Sequence, residues 1–466
     1  MLLGFIILYI LITLTIGMMT ARMVKSSQDF LLAGRKLPMV FAASALFATW
    51  FGAETVLGAS SEFAQNGVIG IIEDPFGASL CLFLIGIFFA RKFYRMDILT
   101  FGDFYRNRFG RRVEILSSIF MVPSYFGWVA AQLVALGIIL NTITGLSMFW
   151  GILLGGGVVL IYTYIGGMWA ISVTDFLQTI LIIVGLLMVA FHVSEDVGGF
   201  DKVIAKTPEG FFNPLPKPDL HHILEYIAAW ITIGLGSIPQ QDVFQRVMAA
   251  KSERVSIRSS YLGAVMYLSI AFIPLYIGLC ATQLYPDLVK ETQNSQTMLP
   301  MVVLRHESIF VQIMFFGALL SAIMSTTSGA ILAPASILAE NLIKPLANKY
   351  MDDKTELKLN RWAVIFVALI SVIMANMKSD IYELVGTSSA LSLVSLFVPM
   401  IAGLYSKKSN EWGAAGSMIL GMLAWIIAES LELSTPSILV GLAGSILGLL
   451  IGNWWGNKLF VHTYYK

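Results

Sequence analysis

The stretch ATWFGAE at residues 48–54 interrupts an apolar segment that runs from residue 39 to residue 65. A second apolar segment, residues 222–248, is interrupted by GLGSIPQQD at residues 234–242. Neither segment can cross a bilayer as one unbroken helix, because backbone groups freed at a break need hydrogen-bond partners inside the membrane. Breaks at matching positions in two halves of a chain are typical of transporters, in which paired broken helices form a solute and ion site near the midplane.

The composition predicts an all-α polytopic membrane protein that spans the lipid bilayer. Of the 466 residues, 57% are apolar and only 13% are charged, whereas a soluble domain has about 25% charged residues. A spanning helix needs about 20 mostly apolar residues. Thirteen segments meet that requirement: residues 3–21, 39–65, 70–90, 113–140, 148–166, 170–193, 222–248, 256–283, 300–341, 360–376, 381–405, 412–430 and 436–455.

The distribution of Lys and Arg predicts the orientation of the chain. An odd number of spans puts the termini on opposite sides, and basic loops remain in the cytoplasm. With the N-terminus outside and the C-terminus cytoplasmic, only six of the 30 basic residues lie outside: Lys202, Lys206, Lys217, Lys290, Arg305 and Lys378. We therefore predict a multi-pass protein of the cell (inner) membrane. The net charge of +1 does not indicate a nucleic-acid partner, and no protein partner is implied.

The order of the spans divides the chain into two units of five helices each. Residues 39–193 form the first unit and residues 222–405 the second, joined by a proline-rich external linker at residues 194–221. Because five is odd, the second unit enters the membrane from the opposite side, which gives an inverted repeat. Residues 1–38 then hold a peripheral first helix and a cytoplasmic loop, and residues 406–466 hold two peripheral C-terminal helices.

A dense cluster of hydroxyl side chains lies in the ninth span, in the stretch GALLSAIMSTTSG at residues 317–329. Hydroxyl and carbonyl oxygens are hard ligands that can replace the water around a metal cation. Together with carbonyls freed at a helix break, they can hold an alkali cation without a buried net charge. The alternative is that these Ser and Thr residues allow close helix packing or bond to their own backbone.

The stretch GGMWAISVTDFLQ at residues 166–178 resembles the signature of the sodium/solute symporter family, which has Gly-Gly, then Ala, then Thr-Asp-x-x-Gln. Three further motifs resemble that family: Ala53-Glu54 with Gly58, Gln245-Arg246, and Ala322-x-x-Ser325-Thr326. The resemblance implies a LeuT-type fold with a 5+5 inverted repeat, one extra N-terminal helix and two extra C-terminal helices. It also implies a symporter that works by alternating access.

The same resemblance implies the residues that bind the coupling ion, Na⁺. One sodium site would be formed by the carbonyls of Ala48, Phe51 and Ala322 with the hydroxyls of Ser325 and Thr326. A second sodium site would use Asp175, Ser325 and Ser328, although Gly329 stands where a further hydroxyl is expected. Asp175 has an alternative role as a helix cap beside Thr174 at the cytoplasmic surface.

Within the family, the chain resembles most closely the high-affinity choline transporter-like branch. Trp50 and Trp128 stand at positions that form an aromatic cage there, whereas the other two cage positions are Ala78 and Gln240. Aromatic faces bind quaternary ammonium groups through cation–π attraction, so a half cage favours a more polar solute. The predicted solute contacts are Trp50, Glu54, Thr55, Trp128, Gln240, Gln241 and Asp242.

These features predict sodium-coupled import of a small polar organic solute, such as a choline-like amine or an amino acid. Sodium- or proton-coupled uptake of a sugar or carboxylate, a channel, and a solute sensor that does not transport are the alternatives. No nucleophile–base pair occurs, so an enzyme is not expected. Glu54 is expected to orient the first break or contact the solute, because a carboxylate in mid-membrane is costly. Glu73-Asp74-Pro75 is instead expected to cap the third span at the membrane interface.

Overall fold

Helices form the whole framework of the protein. The computed structural model describes residues 2–286, 295–347, 351–377 and 380–464. Outside the helices, the described residues contain one isolated parallel bridge, between Leu37 and Ala250. Ten helices in this part of the chain are long and apolar enough to cross a membrane. The remaining predicted spans, residues 39–65, 148–166 and 222–248, correspond to helices that are broken or joined to a neighbour.

The N-terminal half contains ten α-helices, the last of which lies within the predicted linker. They are α1 Leu2–Thr20, α2 Ser27–Leu32, α3 Met39–Ala48, α4 Ser60–Asn66, α5 Ala78–Leu84, α6 Ala90–Met96, α7 Phe101–Phe109, α8 Arg111–Thr144, α9 Met148–Val197 and α10 Phe200–Ala205. Wider π-helical turns connect some of them, at Glu54–Ala59, Ile72–Gly77 and Ile85–Phe89. Such turns leave backbone carbonyls free and are frequent at functional sites.

The C-terminal half contains the second broken helix and the peripheral pair. Its helices are α11 Leu220–Gly236, α12 Gln241–Ala249, α13 Glu253–Leu284, α14 Met298–His306, α15 Ile309–Ile337, α16 Lys344–Ala347, α17 Asp353–Ala375, α18 Ile381–Ser392, α19 Val398–Tyr405, α20 Glu411–Ser430 and α21 Ser437–Tyr464. A π-helical turn at Leu393–Phe397 joins α18 to α19. Helices α20 and α21 pack mainly against each other.

Both predicted breaks occur where the sequence places them. Helix α3 ends at Ala48, and residues 49–52 form a turn. In the second break, α11 ends at Gly236 and α12 begins at Gln241. Gly52 is required in the first turn because a Cβ there would lie 2.7 Å from Thr326 Oγ1. The hydroxyl helix α15 can therefore approach the break closely.

The signature stretch forms a kink rather than a loop. The two predicted spans at residues 148–166 and 170–193 are one helix, α9, bent at Gly167. Gly167 has φ +52°, and a Cβ there would lie 2.5 Å from the carbonyl oxygen of Phe30. Asp175 is eight residues beyond the bend, inside the helix, and fully buried. Its alternative role as a surface cap is therefore wrong.

The ninth predicted span is shorter than the sequence suggests. Residues 300–341 contain two helices, α14 and α15, because the chain turns at His306 to Ser308. Ser308 begins α15, and its side chain accepts a hydrogen bond from the backbone N–H of Val311 at 3.5 Å. Helix α15 then packs against α8 and α9 and reaches α3 and α12. The hydroxyl cluster is thus placed between the signature helix and both breaks.

Candidate sodium and solute site

The predicted sodium ligands come from two elements that meet at the first break. Thr326 Oγ1 donates a hydrogen bond to the carbonyl oxygen of Ala48 at 3.0 Å. Both residues are fully buried, as are Phe51, Ala322 and Ser325. A carbonyl at the end of α3 and a hydroxyl on α15 therefore already face each other. This is the arrangement that a dehydrated cation needs at a helix break.

The residues of the second predicted sodium site are only partly together. Ser325 Oγ donates to Asp175 Oδ1, whereas Ser328 Oγ donates to the carbonyl of Ser325 at 2.8 Å. Asp175 Oδ2 is buried and has no hydrogen-bond partner among the described residues. One carboxylate oxygen thus remains available to a further donor or cation.

Gly329 accommodates a buried guanidinium instead of contributing a hydroxyl. A Cβ at Gly329 would lie 2.2 Å from Nη2 of Arg246. Arg246 is fully buried and donates from Nε to the carbonyl of Ala45 at 2.9 Å and from Nη1 to that of Asp242 at 3.2 Å. The guanidinium therefore links α12 to α3, and its charge acts electrostatically on Asp175. A fixed cation thus stands close to the second candidate ion site.

A small closed cavity of about 10 Å³ lies between the two breaks. Four predicted solute contacts line it, namely Trp50, Glu54, Trp128 and Gln240, and so does Ala78. The volume is about that of one water molecule. In this structure the lining side chains therefore leave little free space between the two breaks.

Glu54 is held by two donors, one of which the sequence analysis did not identify. Trp128 Nε1 donates to Glu54 Oε1 at 3.1 Å, and Gln132 Nε2 donates to Glu54 Oε2 at 2.5 Å. Gln132 Oε1 accepts from the backbone N–H of Ala53 at 2.9 Å. The Gln132 side chain therefore does two things: its oxygen accepts a hydrogen bond from the backbone at the end of the break, and its nitrogen holds the Glu54 carboxylate. Its position four residues after Trp128, on the same helix face, is the signal that could have found it.

Asp74 lines the cavity, so its expected role as an interfacial cap is wrong. Its backbone is extended (φ −139°, ψ 122°) within an otherwise helical turn, and the residue is 1% exposed. Tyr267 Oη donates to Asp74 Oδ1 at 2.7 Å and lies 3.2 Å from the carbonyl oxygen of Trp50. Asp74 Oδ2 has no partner among the described residues. Sequence reasoning missed Tyr267, since nothing distinguishes it from a packing residue of α13.

Three predicted solute contacts lie outside the cavity lining. Thr55 Oγ1 is 2.6 Å from Tyr267 Oη. Gln241 Nε2 donates to Ser336 Oγ at 3.1 Å, and Asp242 Oδ1 accepts from Tyr125 Oη at 2.6 Å. In this structure the three side chains hydrogen-bond to neighbouring helices. The assignment of Thr55, Gln241 and Asp242 to the solute stays a prediction.

Comparison with known proteins identifies the family. The family model described as "Sodium:solute symporter family" matches residues 30–421. The chain belongs to the sodium:solute symporter family. It is 29% identical to the high-affinity choline transporter 1 of Drosophila melanogaster, over 94% of this chain and 71% of that protein. It is 27% identical to the high-affinity proline transporter PutP of Bacillus subtilis, over 94% of each chain.

A solved structure confirms the fold of this symporter. The outward-open, substrate-bound structure of a Na⁺-coupled sialic acid symporter superposes with a TM-score of 0.84 at 19% identity, covering 97% of both chains. The predicted LeuT-type architecture is therefore correct. Family membership also confirms that the protein is a multi-pass membrane symporter, not an enzyme, and that Na⁺ is its coupling ion.

The cavity between the two breaks is lined by acidic residues and lacks basic ones. Its lining contains two carboxylates, Glu54 and Asp74, and contains no Lys, Arg or His residue. The opposite wall, from α11 and α18, presents the small polar side chains of Ser237, Ser388 and Ser389. The cavity thus combines carboxyl groups, aromatic faces and hydroxyl groups.

Proposed function

We propose that the symporter imports a small organic cation that carries at least one N–H donor, such as a protonated amine. The observation that carries the proposal is Asp74 Oδ2, a buried carboxylate oxygen that lacks a hydrogen-bond partner among the described residues. It belongs to a side chain that lines the cavity between the breaks. Buried acceptors in proteins are almost always paired, so this oxygen is suited to a donor on the solute.

The aromatic part of the lining suits the same ligand. Trp50 and Trp128 line the cavity on the side of the first break, and a cation over an indole face gains about 0.5–2 kcal/mol. Trp128 is further oriented by its hydrogen bond to Glu54. A charge-assisted hydrogen bond from an ammonium group to a carboxylate is roughly twice as strong as a neutral one. Together these contacts favour a cation with both an N–H group and apolar substituents.

The charge of the cavity disfavours solutes that carry a carboxylate. An amino acid or sugar acid would bring a third negative charge next to Glu54 and Asp74, without a basic side chain in the lining. A like charge at this distance in a poorly solvated site costs several kcal/mol. Acidic solutes are thus the least favoured of the alternatives.

A quaternary ammonium compound is the second candidate. It is favoured by Trp50 and Trp128 and by similarity to the choline transporter of Drosophila melanogaster. Such a solute has no N–H group, so unless it carries a hydroxyl group, as choline does, Asp74 Oδ2 would remain without a donor. Ala78 and Gln240 also supply no aromatic face.

The sodium site and the topology complete the proposal. One sodium binds the carbonyls of Ala48, Phe51 and Ala322 and the hydroxyls of Ser325 and Thr326. A second sodium at Asp175, Ser325 and Ser328 is the less supported part, because Ser328 bonds to its own helix. The N-terminus is outside and the C-terminus cytoplasmic, with inverted repeats at residues 39–193 and 222–405.

A binding screen with matched amines tests the solute class. Purified protein would be heated with small amines that retain one N–H group and with their fully methylated analogues, for example N,N-dimethylethanolamine and choline, each with and without sodium. We expect sodium-dependent stabilisation at about tenfold lower concentration for the N–H member, since a hydrogen bond to a charged group contributes about 1.5–3 kcal/mol. If the fully methylated analogue stabilises the protein at lower concentration in every pair, a quaternary ammonium solute is supported instead.

A variant pair assigns that preference to one residue. Asp74→Asn should remove the preference for the N–H member, whereas Asp201→Asn, on the exposed helix α10, should retain it. If Asp74→Asn keeps the full preference, Asp74 does not bind the amine. Stabilisation by an amino acid or a sugar acid alone would contradict the proposal as a whole.

A further inference from the structure

A basic crevice opens on the surface far from the solute cavity. It lies between α6, α7 and α19, has a volume of about 450 Å³, and continues into a second hollow of about 380 Å³. Arg108, Gly403 and Leu404 line both hollows. The basic side chains of the lining are Lys92, Arg95, Arg108 and Lys407, and the lining contains no carboxylate.

The basic side chains of the crevice are held in place mainly by backbone carbonyl groups, which are neutral. Arg108 donates from Nε to the carbonyl of Gly403 at 3.1 Å and from Nη2 to that of Ser406 at 2.7 Å. Lys92 Nζ donates to the carbonyl of Leu404 at 3.2 Å and lies 3.8 Å from the ring centroid of Tyr405. Backbone carbonyls position these cations without cancelling their charge. Only Arg95 of this set is paired with a carboxylate, that of Glu253 at 2.7 Å.

The crevice is at the edge of the membrane-spanning region. Helix α6 is the C-terminal end of the apolar segment Glu54–Met96, and α19 is the end of the segment Ile381–Tyr405. Next to the crevice, Ile87 and Phe88 are 57% and 51% exposed. Tyr405 Oη donates to the carbonyl of Phe88 at 2.7 Å, which joins this apolar rim to the basic lining. An amphipathic ligand could thus place a charged end in the crevice and an apolar end along the rim.

We propose that this crevice binds the phosphate headgroup of an anionic phospholipid, with its acyl chains along Ile87 and Phe88. Basic pockets between spanning helices bind acidic lipid headgroups, and each Lys or Arg near an acidic leaflet adds to the attraction. The apolar rim favours a lipid over a soluble phosphate compound. The bound headgroup contacts α7 of the first five-helix unit and α19 of the second, so it holds the two units together at this face. The site is independent of the proposed solute.

Lipid retention by the full chain tests the proposal. Protein in dodecyl maltoside micelles would be titrated with dioleoylphosphatidylglycerol or dioleoylphosphatidylcholine, and bound lipid counted by native mass spectrometry. We expect tighter retention of phosphatidylglycerol. Lys92→Gln combined with Lys407→Gln should raise the phosphatidylglycerol concentration for half-maximal retention about twenty-fivefold, at about fivefold for each basic residue.

A matched double variant separates the crevice from general surface charge. Lys251→Gln combined with Lys354→Gln removes the same charge from exposed positions outside the crevice, and it should retain phosphatidylglycerol as the wild type does. Equal loss in both double variants, or no preference over phosphatidylcholine in the wild type, overturns the proposal. Equally tight retention of glycerol 3-phosphate by protein in dodecyl maltoside micelles would assign the crevice to a soluble phosphate and also overturn it. If the double variant that contains Lys92→Gln does not fold, the single variant Lys407→Glu replaces it. Lys407 is exposed, and this substitution alone must then weaken the retention of phosphatidylglycerol.

Discussion

Thr326 joins the hydroxyl helix to the first break, through its hydrogen bond to the carbonyl of Ala48. We expect Thr326→Ala to raise the sodium concentration for half-maximal uptake about tenfold, because the loss of one ligand to a charge costs about 1.5 kcal/mol or more. Ser325→Ala should act in the same direction. Thr327→Ala is the matched control, since Thr327 bonds to the carbonyl of Ile323 in its own helix. Unchanged sodium dependence in both Thr326→Ala and Ser325→Ala would show that the sodium site is elsewhere.

Gly329 accommodates the buried guanidinium of Arg246, which a Cβ would approach to 2.2 Å. We expect Gly329→Ala to lower the thermal unfolding temperature markedly, because overpacking of a tight interior costs about 1–3 kcal/mol. Gly317→Ala on the same helix is the control, since a Cβ there meets nothing within 4 Å. Equal unfolding temperatures for the two variants would mean that Arg246 has room to move.

Single residues of the site were predictable to different degrees. Trp50 and Trp128 were predicted from the resemblance to the aromatic cage of the choline transporter-like branch, and Glu54 because a carboxylate in mid-membrane is costly. Asp74 was misassigned, since the sequence alone does not reveal that the chain is extended there and directs the carboxylate inward. Gln132 shares a helix face with Trp128, but its contacts with Ala53 and Glu54 are visible only in the structure.

At the level of elements, the breaks were predictable and the joints between helices were not. Gly and Pro residues at 234–239 cannot continue a lipid-facing helix, so the residue types alone predict the second break. The bend of α9 depends on the positive φ of Gly167 and on its approach to Phe30. Neither property follows from hydropathy, which therefore indicated two separate spans.

The first helix, α1, is peripheral in sequence but contacts the signature helix. Gln178 Nε2 donates to Tyr9 Oη at 3.0 Å, and Ser321 Oγ donates to Tyr9 Oη at 2.6 Å. Gln178 follows Asp175 by one turn, and Ser321 precedes Ser325 by one turn. We expect Tyr9→Phe to raise the sodium requirement of uptake two- to fivefold, since each hydrogen bond contributes about 0.5–1.5 kcal/mol.

Thr15→Val provides the control for that helix, because the Thr15 hydroxyl bonds only to the carbonyl of Leu11 in its own helix. Its sodium requirement should equal that of the wild type. If Tyr9→Phe and Thr15→Val have the same sodium requirement, α1 only packs against the signature helix and does not affect sodium binding.

For the whole molecule, charge bias is the basis of the predicted orientation. Lys206 lies in the linker predicted to be outside, and Lys354 lies in the first turn of α17 on the predicted cytoplasmic side; both are exposed. In intact cells, a membrane-impermeant maleimide should label Lys206→Cys but not Lys354→Cys. The native Cys81 and Cys280 are buried, so the background should be low. The reverse labelling pattern would invert the topology.

The fold of the whole molecule was predictable because hydropathy, charge bias and paired breaks all constrain the same inverted repeat. The solute was less predictable, since it depends on a few atoms whose positions emerge only in three dimensions. Asp74 Oδ2 is the clearest case, because its lack of a partner is visible only once the surrounding helices are in place.

Sodium-driven accumulation in proteoliposomes tests the central claim, that this symporter couples Na⁺ to the import of an N–H-bearing cation. Vesicles with wild-type or Asp74→Asn protein would receive the amine selected by the binding screen, under an inward sodium gradient or an inward proton gradient. We expect the wild type to concentrate the amine severalfold under the sodium gradient alone, and Asp74→Asn to lose at least tenfold in apparent affinity. Equal accumulation under the proton gradient without sodium, or accumulation of the methylated analogue in preference to the amine, would contradict that claim.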